Sequence, residues 1–336
     1  MMSSHAAPAR PRRSPIIRTW DRLIHSSTGL NIIGLVVAII VMYVILSLTA
    51  TGFTSTANQM GLLRDAAMIG VVATGMTLVI IAGEIDVSIG PAVAFASVLF
   101  AKALTQWNLP MVLAILVTLV LGAGWGAVVG VLRAKAGVPS FIGTLGLWNM
   151  LGGLALFTTA ALPVPIPISD PAVELMSGTI VGIPTPAWVM ILGFAIFGFI
   201  ATRTAYGRSV YAVGGNAPAA ALAGINVVRV RITIFITTGV LSAVSGILLA
   251  ARLGSGNGGA AQGLEFDIIA AVVVGGTAMM GGRGSMLGTF LGVIFITLLG
   301  NGLVLLGVNS FLQQVVSGAI IVLAVLVNVL ISRRRG

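Results

Sequence analysis

The chain has 336 residues, of which 57% are hydrophobic and 8% charged; that is too little polar surface to clothe a water-soluble fold of this size, and a mean hydropathy of +1.11 points to lipid as its solvent. With no cysteine, disulfides and thiolate metal sites are excluded, and the two histidines, His5 and His25, both lie near the amino terminus, which argues against a histidine-based or metal active site. The net charge of +10 comes from basic residues spread over loops and ends, the pattern that orients a membrane protein, so nucleic acid is not expected as a partner.

A spanning helix needs roughly 17–25 mostly apolar residues. A basic cytoplasmic segment, residues 1–29, comes first, and its basic flank is too long for a cleaved leader. The apolar runs then follow as Leu30–Ala50, Leu62–Ile81, Val87–Leu104, Met111–Leu132, Phe141–Ala161, Pro186–Thr202, Ile232–Ala251, Phe266–Met280, Met286–Gly307 and Phe311–Ile331. The expectation is an all-α membrane protein of about ten transmembrane helices, in one membrane domain over 30–331 with a basic tail at 332–336. The third and eighth runs are short, so a broken or re-entrant helix is an open alternative there.

Alternation of the spans puts 15 of the 18 Lys and Arg residues on one side, leaving Arg64, Lys102 and Arg252 for the other. The positive side is cytoplasmic, and both termini lie there. The Pro-rich stretch Leu162–Pro186, with Asp170 and Glu174, is then extracytoplasmic, as a cap over a cavity or as a spacer. Within the spans, Gly122, Gly126 and Gly130, and again Gly284, Gly288 and Gly292, recur every four residues, a spacing that lets helix backbones approach closely.

Two polar interruptions stand at similar places in the two halves. Gly83-Glu84-Ile85-Asp86-Val87-Ser88-Ile89-Gly90 puts two carboxylates and a hydroxyl between the second and third spans; Gly281-Gly282-Arg283-Gly284-Ser285 divides the eighth from the ninth. A charge at membrane depth costs on the order of 2.5–3.5 kcal/mol, so such groups normally face a cavity or a partner, whereas in a cytoplasmic turn the cost vanishes. Paired interruptions in two halves often surround a transport path. The similarity of residues 65–75 to 267–276 raises, without deciding, an internal duplication.

The longest polar interruption after the amino terminus is the cytoplasmic loop 203–231. Gly214-Gly215 breaks the chain, Asn216 can cap, Pro218 lies in a first turn, Ala219-Ala220-Ala221-Leu222-Ala223 follows, and Gly224 ends a short helix. A small, uncharged helix exposed to the cytosol invites a partner surface or lies against its own bundle.

At this loop Tyr206-Gly207-Arg208, Ala212-Val213-Gly214-Gly215-Asn216, Ala219-Ala220 and Gly224-Ile225-Asn226 resemble the coupling loop of ABC permeases that import ribose, xylose and arabinose. Gly75-Met76-Thr77-Leu78-Val79-Ile80 with Gly83, Ile85-Asp86, Ser88 and Gly90 is similar to the same family's pattern. So are Pro139-Ser140-Phe141-Ile142 with Thr144-Leu145-Gly146, and Gly275-Gly276 through Gly288. One position departs: Glu84 stands where family members more often carry a second glycine.

The resemblance implies the permease subunit of a binding-protein-dependent importer in the bacterial inner membrane, not an enzyme. Its implied partners are a cytoplasmic ABC ATPase, an extracytoplasmic binding protein, a second permease of the same or a related chain, and a monosaccharide or similar polyol. No Gly-x-x-x-x-Gly-Lys-Ser/Thr stretch occurs, so no cofactor is expected on this chain, and ATP and Mg belong to the ATPase. The implied coupling residues are Tyr206, Gly207, Arg208, Gly214, Gly215, Asn216, Ala220, Gly224 and Ile225. Candidates for the path are Glu84, Asp86, Ser88, Thr144, Trp148, Asn149 and Asn301, the last four of which could equally serve helix–helix hydrogen bonds. Two other readings stay open: a permease for branched-chain amino acids, and an ion-coupled carrier using Asp65, Glu84 or Asp86. A membrane enzyme lacks any grouping of nucleophile, base and orienting residue.

Overall fold

A computed structural model describes residues 27–167 and 170–333; the basic segment before Ser27 and the end of the tail lie outside the described residues. The helices are α1 (Ser27–Thr49), α2 (Thr56–Ile81), α3 (Ile89–Thr105), α4 (Met111–Ala134), α5 (Ser140–Phe157), α6 (Pro171–Ser177), α7 (Thr185–Arg203), α8 (Ala205–Gly215), α9 (Ala217–Leu222), α10 (Val227–Leu253), α11 (Leu264–Val274), α12 (Met286–Leu305) and α13 (Ser310–Arg333). Among the described residues there are also four two-residue strands, β1 (Val164–Pro165), β2 (Thr179–Ile180), β3 (Ile183–Pro184) and β4 (Ser255–Gly256). Each predicted apolar run overlaps a helix, though the run over 266–280 is helical only to Val274. Seven of these (α1, α2, α4, α5, α7, α10 and α12) are long and apolar enough to cross a membrane.

The two short runs are where the structure departs from continuous spans. α3 has 17 residues and α11 only 11, about 16 Å at 1.5 Å per residue against roughly 30 Å of hydrocarbon. The run expected over 266–280 stops at Val274 because Gly276 takes φ +88° and turns the chain out of the helix.

Local chemistry sets the other boundaries. Ser55, Thr204, Asn216, Asn226 and Ser285 each accept a backbone N–H in the first turn of the helix they precede, and left-handed Gly254 closes α10. α2 is the central helix, with buried residues on every side from Ala66 to Ile81 and α7, α10, α11 and α12 packed around it, the all-round burial expected of a uniformly apolar helix. Lipid is as apolar as that core, so close fit, rather than release from water, holds the bundle.

Both glycine stripes supply that fit. α4 packs on α10: a methyl added at Gly122 would sit 2.7 Å from the Gly239 carbonyl oxygen, one at Gly130 would sit 2.8 Å from Ile232 Cα, and one at Gly126 would overlap the Phe235 carbonyl. α12 packs on α11 in the same way, with Gly288 against Gly275 and Gly292 against Ala271. Few polar bonds supplement this contact. The Thr77 and Thr289 hydroxyls lie 2.8 Å apart and Ser245 Oγ donates to the Met68 carbonyl at 3.1 Å, bonds of the kind worth about 0.6 kcal/mol each in a membrane bundle.

The Pro-rich stretch is folded. β1 pairs with β4, the β2–β3 hairpin turns through Val181 and Gly182, both at positive φ, and α6 packs on α10. On this side Arg252 pairs with Asp65 and Lys102 donates to the Thr158 carbonyl at 2.7 Å.

Candidate functional site

The loop between α7 and α10 carries two helices where the sequence pointed to one. α8 forms despite its three glycines and two valines because Thr204 caps it and Gly207 seats it against the Ala201 backbone, where a methyl would come within 2.5 Å of a carbonyl oxygen. It stops at Gly214–Gly215. Asn216 then starts α9, its side chain accepting from the Ala219 N–H at 3.0 Å, and Gly224, at φ +83°, ends it. Ala220 is buried and Ile225 half-buried, so these two hold α9 to the bundle, while Arg208, Gly215, Asn216 and Gly224 are exposed. Leu222, which no sequence signal singled out, is 92% exposed on α9.

Two tyrosines tie the loop to the spans. Thr233 Oγ1 donates to the Tyr206 phenol at 2.9 Å, and the Tyr211 hydroxyl donates to the Gly284 carbonyl at 2.9 Å. Burial pushes both phenol pKa values up from their ordinary range.

The carboxyl end of α8 lies where both chain interruptions meet. The Gly282 N–H donates to the Ile81 carbonyl at 2.8 Å, joining the break that follows α11 to the last turn of α2. Gly214 lies between them: a methyl there would overlap the Ile81 carbonyl oxygen and stand 2.7 Å from the Gly282 nitrogen. One at Gly281 would stand 2.7 Å from the Gly214 oxygen and 2.9 Å from Gly83 Cα. Gly83, Gly281 and Gly282 have φ of +75°, +84° and +74°, the left-handed region that costs other residues about 1–2 kcal/mol. Three backbones therefore touch directly, and no side chain fits between them.

Next to this junction the carboxylates of the first break are fully engaged. Arg133 Nε, at the end of α4, donates to both Glu84 oxygens at 2.8 and 2.7 Å, and Arg231 Nε, at the start of α10, lies 2.8 Å from Glu84 Oε1. Asp86 Oδ1 accepts from the Ser88 N–H and hydroxyl at 3.0 and 2.6 Å, and its Oδ2 accepts from Thr238 at 2.9 Å. The Ile85 N–H donates to Ser140 Oγ at 3.2 Å. The basic partners Arg133 and Arg231 counted in the sequence only toward orientation.

The path candidates do not form one cluster. Glu84, Asp86 and Ser88 sit in the first break. Thr144, Trp148 and Asn149 lie along α5, where Thr144 is buried and bonded to the Ser140 carbonyl, and Asn149 is exposed. Trp148 Nε1 donates to Glu265 Oε1 at 2.9 Å, a partner not evident in the sequence. Asn301 is elsewhere, on α12, in a reciprocal amide pair with Asn58 at 2.8 and 3.1 Å.

Comparison with known proteins bears on these features. The family model described as "Branched-chain amino acid transport system / permease component" matches residues 58–325. A probable ABC transporter permease of Escherichia coli, YphD, is 60% identical over 308 residues, 92% of each chain. The ribose import permease RbsC of Bacillus subtilis is 39% identical over 93% of this chain and 97% of its own. The L-arabinose ABC transporter permease AraH of Azospirillum brasilense is 36% identical over 95% and 91%. No solved structure matches.

Proposed function

From the premise that the chain belongs to the family of ABC-importer permeases that includes the ribose, arabinose and xylose permeases, a family of multi-pass inner-membrane transport subunits, we propose that it moves a monosaccharide or similar polyol into the cytoplasm. In this reading two permease chains form the path, a cytoplasmic ATPase supplies the energy, and an extracytoplasmic binding protein delivers the cargo. The names of the sugar permeases favour a sugar; the description of the family model keeps branched-chain amino acids as the second reading. Against an ion-coupled carrier stands the state of its candidate carboxylates: Asp65 is paired with Arg252, Glu84 with two arginines, and Asp86 accepts three hydrogen bonds.

The observation that carries the coupling proposal is the position of Gly214–Gly215 against both breaks. Closure of the ATPase subunits would press on α9, whose exposed face is Pro218, Ala219, Ala221 and Leu222. α8 is joined to α9 through Asn216 alone, so the push reaches Gly214. With no side chain to absorb it, displacement would pass by backbone contact to the end of α2 and to the 275–285 segment, where the two interruptions between spans meet α8. Interruptions of this kind are the points at which membrane helices can change angle without breaking a regular hydrogen-bond ladder.

The test is uptake by membrane vesicles or proteoliposomes holding the permease with its ATPase and binding protein. Leu222→Asp should leave insertion intact and lower ATP-driven uptake by at least about tenfold, the effect of roughly 1.4 kcal/mol lost at a docking anchor. Uptake driven by the purified chain alone under a proton or sodium gradient would sink the ABC reading, and retained leucine but not sugar uptake would select the second.

A further inference from the structure

After α10 ends on the extracytoplasmic side, residues 255–263 do not stay there. Gly256 packs on Val98 and Ala101 of α3, the Asn257 N–H bonds to Ser97 Oγ at 3.2 Å, Gly258 packs on Ala155 of α5, and the Ala261 carbonyl lies against Gly90. Along α3 the segment descends from near its outer end to its first turn, and it delivers Glu265 to Trp148, the middle of α5. It is non-helical backbone that re-enters the bundle.

One side of this segment is packed; the other is open. Gly259, Ala260 and Gln262 are exposed, and Asn257 is half-buried with its Oδ1 accepting the Gly259 N–H at 2.9 Å, which leaves its amide N–H groups as donors. Trp148, 36% exposed, lies on the helix that this segment crosses at Ala155 and meets again at Glu265. Irregular backbone and amide side chains do not face hydrocarbon, because their polar groups would go unsatisfied; at this depth they front water or protein. Neither residues 255–263 nor α5 carries a charged residue. The face therefore offers an indole plane, two amides and open backbone, the groups that stack on the C–H face of a sugar ring and match its hydroxyls. A zwitterion would need charges that these two elements lack.

Glu265 completes the arrangement from behind. It is 1% exposed, its Oε1 accepts the indole N–H, the backbone around Gly263 lies near the carboxylate, and its Oε2 has no aligned donor. Gly90 leaves just the room it fills, since a methyl there would overlap Oε2. A buried carboxylate at membrane depth is a costly feature unless it holds something in place, and the side chain it holds is Trp148.

We propose that Trp148, Asn257 and Gln262 form a contact site for a neutral polyhydroxyl ring on the transport path, with Glu265 as the positioning residue for the indole. The proposal rests on the sugar-permease reading.

The chain has no cysteine, so single replacements report without background. In native membranes Gln262→Cys and Asn257→Cys should react with a membrane-impermeant hydrophilic thiol reagent, as should Val181→Cys in the extracytoplasmic hairpin. Val120→Cys, exposed on the apolar surface of α4, should not. D-ribose, D-xylose or L-arabinose should slow labelling at position 262 by about tenfold near saturation, with no effect at position 181. Trp148→Ala and Glu265→Leu should abolish that protection while position 262 still labels, and Glu265→Gln, which keeps an acceptor, should retain it.

No labelling at position 262 together with normal sugar uptake would overturn the site and leave the permease reading standing. Labelling that L-leucine slows and sugars do not would overturn the sugar reading itself. Labelling that neither slows, in membranes that take up sugar, would show a wet face that is not a sugar contact, and would also overturn the proposal.

Discussion

The two breaks that meet at Gly214 are held in different ways. The first, residues 82–88, is fixed by side chains: Glu84 to two arginines, Asp86 to Ser88 and Thr238, and the Ile85 N–H to Ser140. The second, residues 275–285, is held mainly by backbone: Ala278 to Arg283 at 3.0 Å, Gly282 to Ile81 at 2.8 Å and the Tyr211 hydroxyl to Gly284. Its Met280 is 89% exposed. Side-chain ties from α4, α5 and α10 make the first break an anchor, whereas the second relies mainly on backbone bonds and carries an exposed turn at Met280, features of the less stable parts of a fold. On the coupling proposal, motion arriving at Gly214 would therefore move the second break relative to the first.

The strongest way to break this picture is to fill the junction. Gly214→Val would drive its side chain into the Ile81 carbonyl, a backbone atom that cannot rotate away, and overpacking of this kind costs about 1–3 kcal/mol. The expected outcome is a protein that inserts but whose uptake falls by about two orders of magnitude or more, since α8 is displaced from both breaks at once. Full uptake by this variant would remove Gly214 from the coupling route.

The anchor itself is tested next. Glu84→Ala leaves two guanidinium groups facing each other. Removing one side of a buried pair costs about 3–5 kcal/mol, discounted here to about 1–3 kcal/mol because Arg133 and Arg231 keep 24% and 20% of their side-chain surface exposed. Unfolding in detergent should show this loss, and adding Arg231→Ala should recover at least about 0.5 kcal/mol through relief of repulsion. Met280→Ser, in the second break, should stay within about 0.5 kcal/mol of the parent. Equal losses in the two breaks would dissolve the distinction between anchor and moving part.

The bundle was legible because lipid demands long apolar runs, and charges between Leu30 and Ile331 fall almost wholly at their ends. What resisted reading was tertiary. Arg133 and Arg231 look like orientation charges until the fold brings both to Glu84. α8 has too many glycines and β-branched residues to announce itself, since its helicity depends on the Thr204 cap and on backbone contact at Gly207. Asn301 reads equally as a path residue or as half of a helix–helix hydrogen bond, and the partner it takes, Asn58, is 243 residues away in sequence. Trp148 was legible as a candidate, but Glu265, 117 residues distant, sits in what reads as the mouth of an ordinary span.

The smallest expected effect sharpens the contrast most finely. Tyr211→Phe removes one hydroxyl and keeps the ring, so the Gly284 carbonyl loses its side-chain donor at a cost of about 0.5–1.5 kcal/mol. If α8 grips the second break through this bond, amide hydrogen exchange across residues 278–284 should speed up by a factor of roughly 2–12, the same energy read as an opening equilibrium. Exchange across residues 84–88 should not change, because Glu84, Asp86 and Ser140 still hold that segment. Equal acceleration in both segments would mean that the two breaks open as one unit and that Tyr211 serves the junction as a whole; no acceleration in either would leave the backbone contact at Gly214 as the sole grip of α8 on the second break.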